Sequence, residues 1–442
     1  MSLSVNYTNL QVKKQCSNLS YEEELIAVRD QLQNDVCWGS GKSDYKAIKL
    51  LNGNACWERF RPSIELLSEN NPQNFKLTFC DDFFNLEAEG VNHFIGTIAG
   101  DVLINNRISD ILVDDFSVSE YERRYFPGPT FGIDGVYQLF NLSNDRPLLA
   151  FSVKPRMGYD KELFEAILNE AAEGGADIIE DDERLIDPTY CRFGDRIEIA
   201  SKVQQKHPGS FYSANITGPF DKMKERVDAA ANKGIRFVKL DVLVTGFDSL
   251  RDIAWYIRNK CYDIRITVYP DVIGKYRNLS RRFICKMARM CGTDVLYAGS
   301  PRWSRDIIYG NSLIYECEKV NMRHQMLKSQ EGDLQGFKTT LATMTNDISA
   351  QSAEILTYIF KNCFSQSQFA FFIGHGISCM DKSVHEAVEG IHKRISKAAS
   401  ADKKQEYSIE PIENKGVTHG NISEDYSNYD LTALVRKYKR GY

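Results

Sequence analysis

Four consecutive carboxylates, Glu180, Asp181, Asp182 and Glu183, follow the short apolar run ADII. Like charges this dense need a cation to compensate them. Strand alternation would put Glu180 and Asp182 on one side, with Glu183 at the strand end free to curl over. Two or three convergent carboxylate oxygens suit a hard ion such as Mg2+, which keeps several of its waters. The plainer alternative is a solvated acidic turn after a strand. Upstream, a second apolar run, LLAFSV, ends in a cation, Lys154, followed by Pro155 and Arg156. The planar guanidinium of Arg156 is suited to a carboxylate or a phosphate.

These charges sit at the ends of elements that must position them. Leu148–Val153 reads as a strand. KELFEAILNEAAEGG reads as a helix with Leu163, Phe164, Ile167 and Leu168 on one face, closed by Gly174-Gly175. Ala176–Ile179 reads as a second buried strand. The rhythm then continues through strands near Phe211–Ile216, Arg236–Asp241, Arg265–Tyr269, Asp294–Ala298, Thr339–Thr343 and Phe369–Ile373, with helices such as IAWYIRNK and FICKMARM between them. Eight strand–helix units imply a parallel sheet closed into a barrel, whose active site belongs at the strand C-termini.

The chain therefore reads as an α/β protein, a C-terminal (β/α)8 TIM barrel over residues 128–398 preceded by an α+β N-terminal domain over 21–127. The N-terminal domain rests on FKLTFCDDFF, HFIGTIAGDVLI and ISDILVDDFSV. Residues 1–20 read as a polar, loose segment. Residues 399–442 form a polar tail in which LTALVRKYK is positioned to dock as a short helix.

At 442 residues the chain has room for a barrel and one further domain. A net charge of −5 supplies no basic patch for nucleic acid. No apolar run approaches the ~18 residues a membrane span needs. The start, MSLSVNYTNLQVKKQ, lacks a signal-peptide pattern. Eleven cysteines without a CxxC pair fit reduced thiols, so a cytoplasmic protein is expected.

The segments GPTFGIDG, RPLLAFSVKPRMG, GGADIIEDDE and VTGFDSL, in this order and spacing, resemble the large subunit of ribulose-bisphosphate carboxylase (RuBisCO). The resemblance implies that Lys154 is a proton carrier and carbonyl polariser and that Asp182 and Glu183 are Mg2+ ligands. Arg156 stands where the family usually has another lysine. The resemblance also places Glu180 where the family has the lysine that CO2 converts to a metal-binding carbamate. A glutamate cannot be carbamylated, and its carboxyl falls ~3–4 Å short of the carbamate's reach against metal–oxygen distances of ~2.1 Å. The chain thus looks like a RuBisCO-like protein that does not fix CO2, with Glu180 joining any metal site directly or through water.

Other family positions have changed. The strand-five histidine–arginine pair falls on Tyr269-Pro270, and the strand-six phosphate-binding histidine falls on Tyr297. The loop after strand six offers Arg302 and Arg305 but no lysine. Gly374, His375 and Gly376 retain an anion site of backbone N–H groups at strand eight, His375 being either structural or a general base. Asp101 replaces an asparagine that in the family reaches the neighbouring subunit's active site, so it is either a substrate-directed carboxylate or a surface turn residue. A homodimer follows from the same resemblance.

Two functions remain open at this level. One is Mg2+-assisted enolisation, isomerisation or decarboxylation of a small keto-sugar or sugar acid, phosphorylated or not, with Lys154 or Glu180 moving the proton. The other is a barrel without chemistry, acting as a binding or structural protein.

Overall fold

The nine residues Ser4–Val12 (β1) form an inner strand of an antiparallel sheet, in the order β2-β3-β1-β4, with β2 Ser63–Leu66, β3 Phe75–Thr78 and β4 Ile108–Ser117. This corrects the expectation of a loose N-terminus. The buried residues are Val5 and Tyr7, then Leu10 and Val12. The two-residue alternation changes phase at Asn9, whose φ of 57° lies where the pairing with β4 slips. Such a bulge inserts a residue and turns the following side chains to the other face.

The computed structural model describes residues 3–13, 19–38, 59–142, 146–271, 276–301, 312–345, 348–374, 382–401, 407–409 and 430–439. The chain divides into two compact units. One comprises Met1–Pro127 with Val272–Met287 and Glu331–Gln335; the other comprises Gly128–Asp271, Ala288–Gln330 and Gly336–Tyr442. In the first unit the helix Tyr21–Trp38 joins the four-stranded sheet, and Phe79, Phe84, Phe94, Phe116 and Phe283 make successive ring contacts.

The second unit contains a closed parallel barrel of eight strands. They are β5 Leu148–Ser152, β6 Ile178–Glu180, β7 Phe211–Asn215, β8 Phe237–Leu240, β9 Arg265–Val268, β10 Val295–Tyr297, β11 Leu341–Met344 and β12 Ala370–Ile373. Each lies within about two residues of its expected place. The helix Lys161–Glu173 buries Phe164, Ile167 and Leu168 as its pattern predicts, while Leu163 faces outward. Asp160 caps its first turn, and Gly175, at a φ of 92°, turns the chain into β6.

The barrel interior changes character with height. Its lower layer is apolar: Leu148, Ala150, Ile178, Phe237, Val295, Leu341, Ala370 and Phe372 pack with Ile133, Val136 and Tyr137. Those last three belong to the short helix Gly132–Tyr137, whose first N–H groups are held by the carboxylate of Asp294. Two residues further along most strands, the same inward parity brings Ser152, Glu180, Ser213, Lys239, Thr267 and Thr343, all on barrel strands, to a polar layer. Burying about ten large apolar side chains below supports a layer of this polarity above, provided each charge is paired. Among the described residues, no helix is long and apolar enough to cross a membrane. At the C-terminus, Leu431–Lys439 is helical, with Leu431, Leu434 and Val435 buried.

Candidate functional site

β6 ends at Glu180, so strand alternation does not carry on to Asp182. The four carboxylates therefore diverge, and each takes its own partner. Asp181 turns behind the barrel wall, where it accepts bonds from Arg196 Nε at 3.2 Å, from the Asn215 amide and from the Tyr212 hydroxyl. Arg196 is fully buried and also donates to the carbonyls of Cys191 and Ile186. This cluster is a structural staple between β6, β7 and the helix Phe193–Lys206.

Asp182, wholly buried, pairs with Lys154 at the end of β5, with Arg156 Nε at 3.5 Å beside it. Arg184 approaches its other oxygen at 4.0 Å and forms a closer pair with Asp271 at 2.7 Å. Lys154 keeps 12% of its side chain exposed, and Arg156 and Arg184 are nearly half exposed. Positive charge on the described rim is thus accessible, whereas the carboxylate beneath it is not.

Glu180 and Glu183 share a different cation. Lys239 rises from the middle of β8 and places its Nζ 2.6 Å from Glu180 Oε1, 2.9 Å from Glu183 Oε1 and 3.2 Å from the carbonyl of Asp181. An ammonium has three protons to donate, and these three acceptors use all of them. Ser152 also donates to Glu180 Oε1, while Glu180 Oε2 is buried without a partner. Lys239 and Glu180 are each 1% exposed, and Glu183 is 12% exposed. Of the two cations, Lys154 serves Asp182, and Lys239 serves Glu180 and Glu183.

The electrostatics follow from this pairing. Burial pulls the Lys239 amine down, and the charges of Glu180 and Glu183 more than reverse it, leaving it well above its usual range and protonated. Burial also raises Glu183, but the charge and hydrogen bond of Lys239 overcome it and push the carboxyl down to about 2. For the more deeply buried Glu180, desolvation prevails over Lys239 and the carboxyl sits above its ordinary value. At the end of β8, Asp241 is raised to about 6 by burial, with the Leu243 N–H opposing and Asp271 adding to the shift.

This donor set does not fit Mg2+. A magnesium ion needs several oxygens at ~2.1 Å in an octahedron. The oxygens of Glu180 and Glu183 instead converge at ammonium distances on Lys239, and Asp182 is turned away to Lys154. Among the described residues, no group of three or more His, Cys, Asp or Glu side chains is arranged to hold a metal.

The remaining expected positions are distributed as follows. Tyr269 and Tyr297 stand together at the mouth, ring centroids 5.1 Å apart, and Lys239 Nζ lies 5.3 Å from the Tyr269 ring. Asp101 is exposed in the first unit, at the start of the short helix Asp101–Ile104. A Cβ on Gly374 would stand 3.0 Å from both Lys154 Cε and the Ser152 carbonyl, so this glycine leaves room for Lys154 to pass. His375, Gly376, Arg302 and Arg305 lie outside the described residues.

Lys239 is the functional candidate that the sequence reading passed over. Its signal was present in FVKLDV, a lysine inside an otherwise apolar barrel strand. A charge at an inward position of a buried parallel strand requires a buried partner.

Comparison with known proteins agrees with this architecture. Residues 132–393, more than half the chain, match the family model described as ribulose bisphosphate carboxylase large chain, catalytic domain. The ribulose bisphosphate carboxylase of Thermococcus kodakarensis is 30% identical over 230 residues, covering 49% of this chain and 51% of that one. That of Archaeoglobus fulgidus is 31% identical over 226 residues, covering 48% and 50%. The chain thus spans about half the length of the curated relatives it matches. Over the whole fold, the octameric ribulose-1,5-bisphosphate carboxylase/oxygenase of Pyrococcus horikoshii superposes with a TM-score of 0.72 at 19% identity, covering 91% of each chain. A dimeric archaeal Rubisco from Hyperthermus butylicus gives 0.71 at 19%, covering 90% of each. The two-unit architecture, the barrel with its charged strand ends and the family match lead to one conclusion: the chain belongs to the family of the ribulose bisphosphate carboxylase large chain, catalytic domain.

Proposed function

We propose that this protein does not fix CO2 and that its barrel mouth binds a small carbonyl compound bearing a carboxylate or phosphate, from which it moves an α-proton. The observation that carries the reading is Lys154: a strand-end ammonium held by the buried Asp182, with part of its side chain still exposed and Arg156 beside it. In this reading Arg156 and Arg184 attract the anionic group. Lys154 donates a proton to the carbonyl oxygen as a nearby carboxylate, Glu180 or Asp241, takes one from the α-carbon. The product is an enol; where the α-carbon bears a hydroxyl it is an enediol, and protonation of the former carbonyl carbon as that hydroxyl gives up its proton to become the new carbonyl completes an isomerisation. Tyr269 and Tyr297 are proposed to line the bound molecule. Loss of carboxylation rests on Glu180, which offers no amine to CO2. A homodimer is proposed from the family relationship.

A second reading, a barrel that binds without reacting, is favoured by one observation. Glu180 and Asp182 are covered, and Lys239 has no proton left to give a ligand. Solvent deuterium separates the two. The protein is incubated in D2O with a panel of 2-keto acids and ketose phosphates, and α-deuteration is followed by proton NMR. Exchange that disappears in Lys154→Met supports proton transfer. Binding without exchange across the panel supports the second reading, and exchange that persists in Lys154→Met removes Lys154 from the mechanism.

A further inference from the structure

We infer that Lys239 is a built-in replacement for a divalent metal: a covalently tethered cation that holds the barrel-mouth carboxylates in place and closes the site to Mg2+. The inference is independent of whether the protein catalyses proton transfer, since it concerns the charge balance of the site alone. It rests on position, stoichiometry and size.

The position is central. Lys239 comes from β8 and reaches across β7 to the residues that end β6. It is the shared partner of Glu180 and Glu183, and it also binds the carbonyl of Asp181. One charge therefore ties together three of the four residues of the acidic run.

The stoichiometry closes at the ammonium. Its three protons meet three acceptors, two of them carboxylates. Asp182 is compensated separately by Lys154 and Arg156. A divalent ion would have to displace Lys239, leaving an ammonium that is 1% exposed with no counter-charge.

Size points the same way. Oxygens at 2.6 and 2.9 Å are at N–H···O distances from Nζ, too far from that point for Mg2+ at ~2.1 Å. With a glutamate where the resemblance places a carbamylated lysine, a gap of ~3–4 Å opens between strand and metal position, and a long amine from β8, two strands away, fills a gap of this kind. Glu180 and Lys239 then work as a pair: β6 offers no amine to CO2, and β8 supplies a permanent cation.

The test is Mn2+ binding, read by electron paramagnetic resonance and by thermal shift on the whole protein with and without bicarbonate. The wild type is expected to leave the Mn2+ signal unquenched at millimolar metal and to melt at the same temperature in Mn2+ and in EDTA. Lys239→Ala is expected to acquire one Mn2+ site and to be stabilised by metal, and Lys239→Ala combined with Glu183→Gln is expected to lose that site. If Lys239→Ala folds only when Mn2+ is present, that dependence is itself the expected rescue. One equivalent of Mn2+ bound by the wild type and lost in Glu183→Gln would overturn the inference. So would a Lys239→Met variant that melts at the wild-type temperature in EDTA, because the ammonium would then not be holding the carboxylates.

Discussion

Replacing Lys239 with methionine preserves much of the side chain's length and removes its charge, leaving Glu180 and Glu183 facing each other in a nearly dry site. Breaking a buried pair by removing one partner costs about 3–5 kcal/mol. The carboxylates set a ceiling on that cost, because either can protonate. From an ordinary value near 4.5, protonating one carboxyl costs about 3 kcal/mol at pH 7 and about 0.7 kcal/mol at pH 5. The variant should therefore lose about 3 kcal/mol at pH 7 and only about 1 kcal/mol at pH 5.

The depressed Glu183 of the wild type and the unpaired carboxylates of the variant should also respond to pH with opposite signs. In the wild type, Glu183 is depressed from 4.5 to about 2, so its contribution is complete above 4.5 and is lost as pH falls toward 2. In Lys239→Met the pair is raised instead, the folded state binds more protons than the unfolded one, and stability grows as pH falls from 7 to 5. Urea denaturation followed by tryptophan fluorescence at pH 7, 6 and 5 measures the variant's slope, and further points at pH 4 and 3 measure the loss of the Glu183 contribution in the wild type. A loss below about 1 kcal/mol at pH 7, or a variant whose pH slope matches the wild type, would refute the assignment of Lys239 as counter-ion to both carboxylates.

Other expectations follow from neighbouring contacts. Arg196→Met strands the buried carboxylate of Asp181 and should cost about 3–5 kcal/mol by the same denaturation assay, with Asn215 and Tyr212 unable to replace the lost charge. Purified protein given ribulose bisphosphate, Mg2+ and labelled bicarbonate should incorporate no label above a no-protein control. Gly374→Ala should displace Lys154 through the 3.0 Å contact at its Cε, lowering any proton exchange while leaving the circular dichroism spectrum unchanged. Light scattering at micromolar concentration should give twice the 50.4 kDa chain mass; the monomer mass would contradict the proposed dimer.

The barrel was legible because its strands are short apolar runs bounded by turn residues, and a fully buried parallel strand can hardly read otherwise. β1 was not, since the bulge at Asn9 breaks its alternation midway and two half-patterns resemble none. The helix face containing Phe164, Ile167 and Leu168 was visible from spacing, while Leu163 shows that one apolar residue can lie beside a buried stripe and remain outside it.

The chemistry was legible only in part. Lys154, Asp182 and the unusual Glu180 stand out in sequence because they close or directly follow recognisable strands. Which cation faces which carboxylate depends on the order of strands around the barrel and on their register. That pairing brings residues 59 positions apart into a 2.6 Å contact, and no local pattern encodes it. A lysine in the middle of an apolar strand was the only warning in the chain, and its meaning depended on knowing which face of the strand turns inward.

The central claim is that a side chain of the protein occupies the place a metal would take, and crystallography with Mn2+ tests it most directly. Crystals grown in millimolar Mn2+ and bicarbonate, with data collected at the manganese edge, should show no anomalous peak beside Glu180 and Glu183, and continuous density for Lys239 ending between their carboxylates. An anomalous peak coordinated by Glu183 with Asp182 or Glu180, and Lys239 turned away from it, would contradict the account.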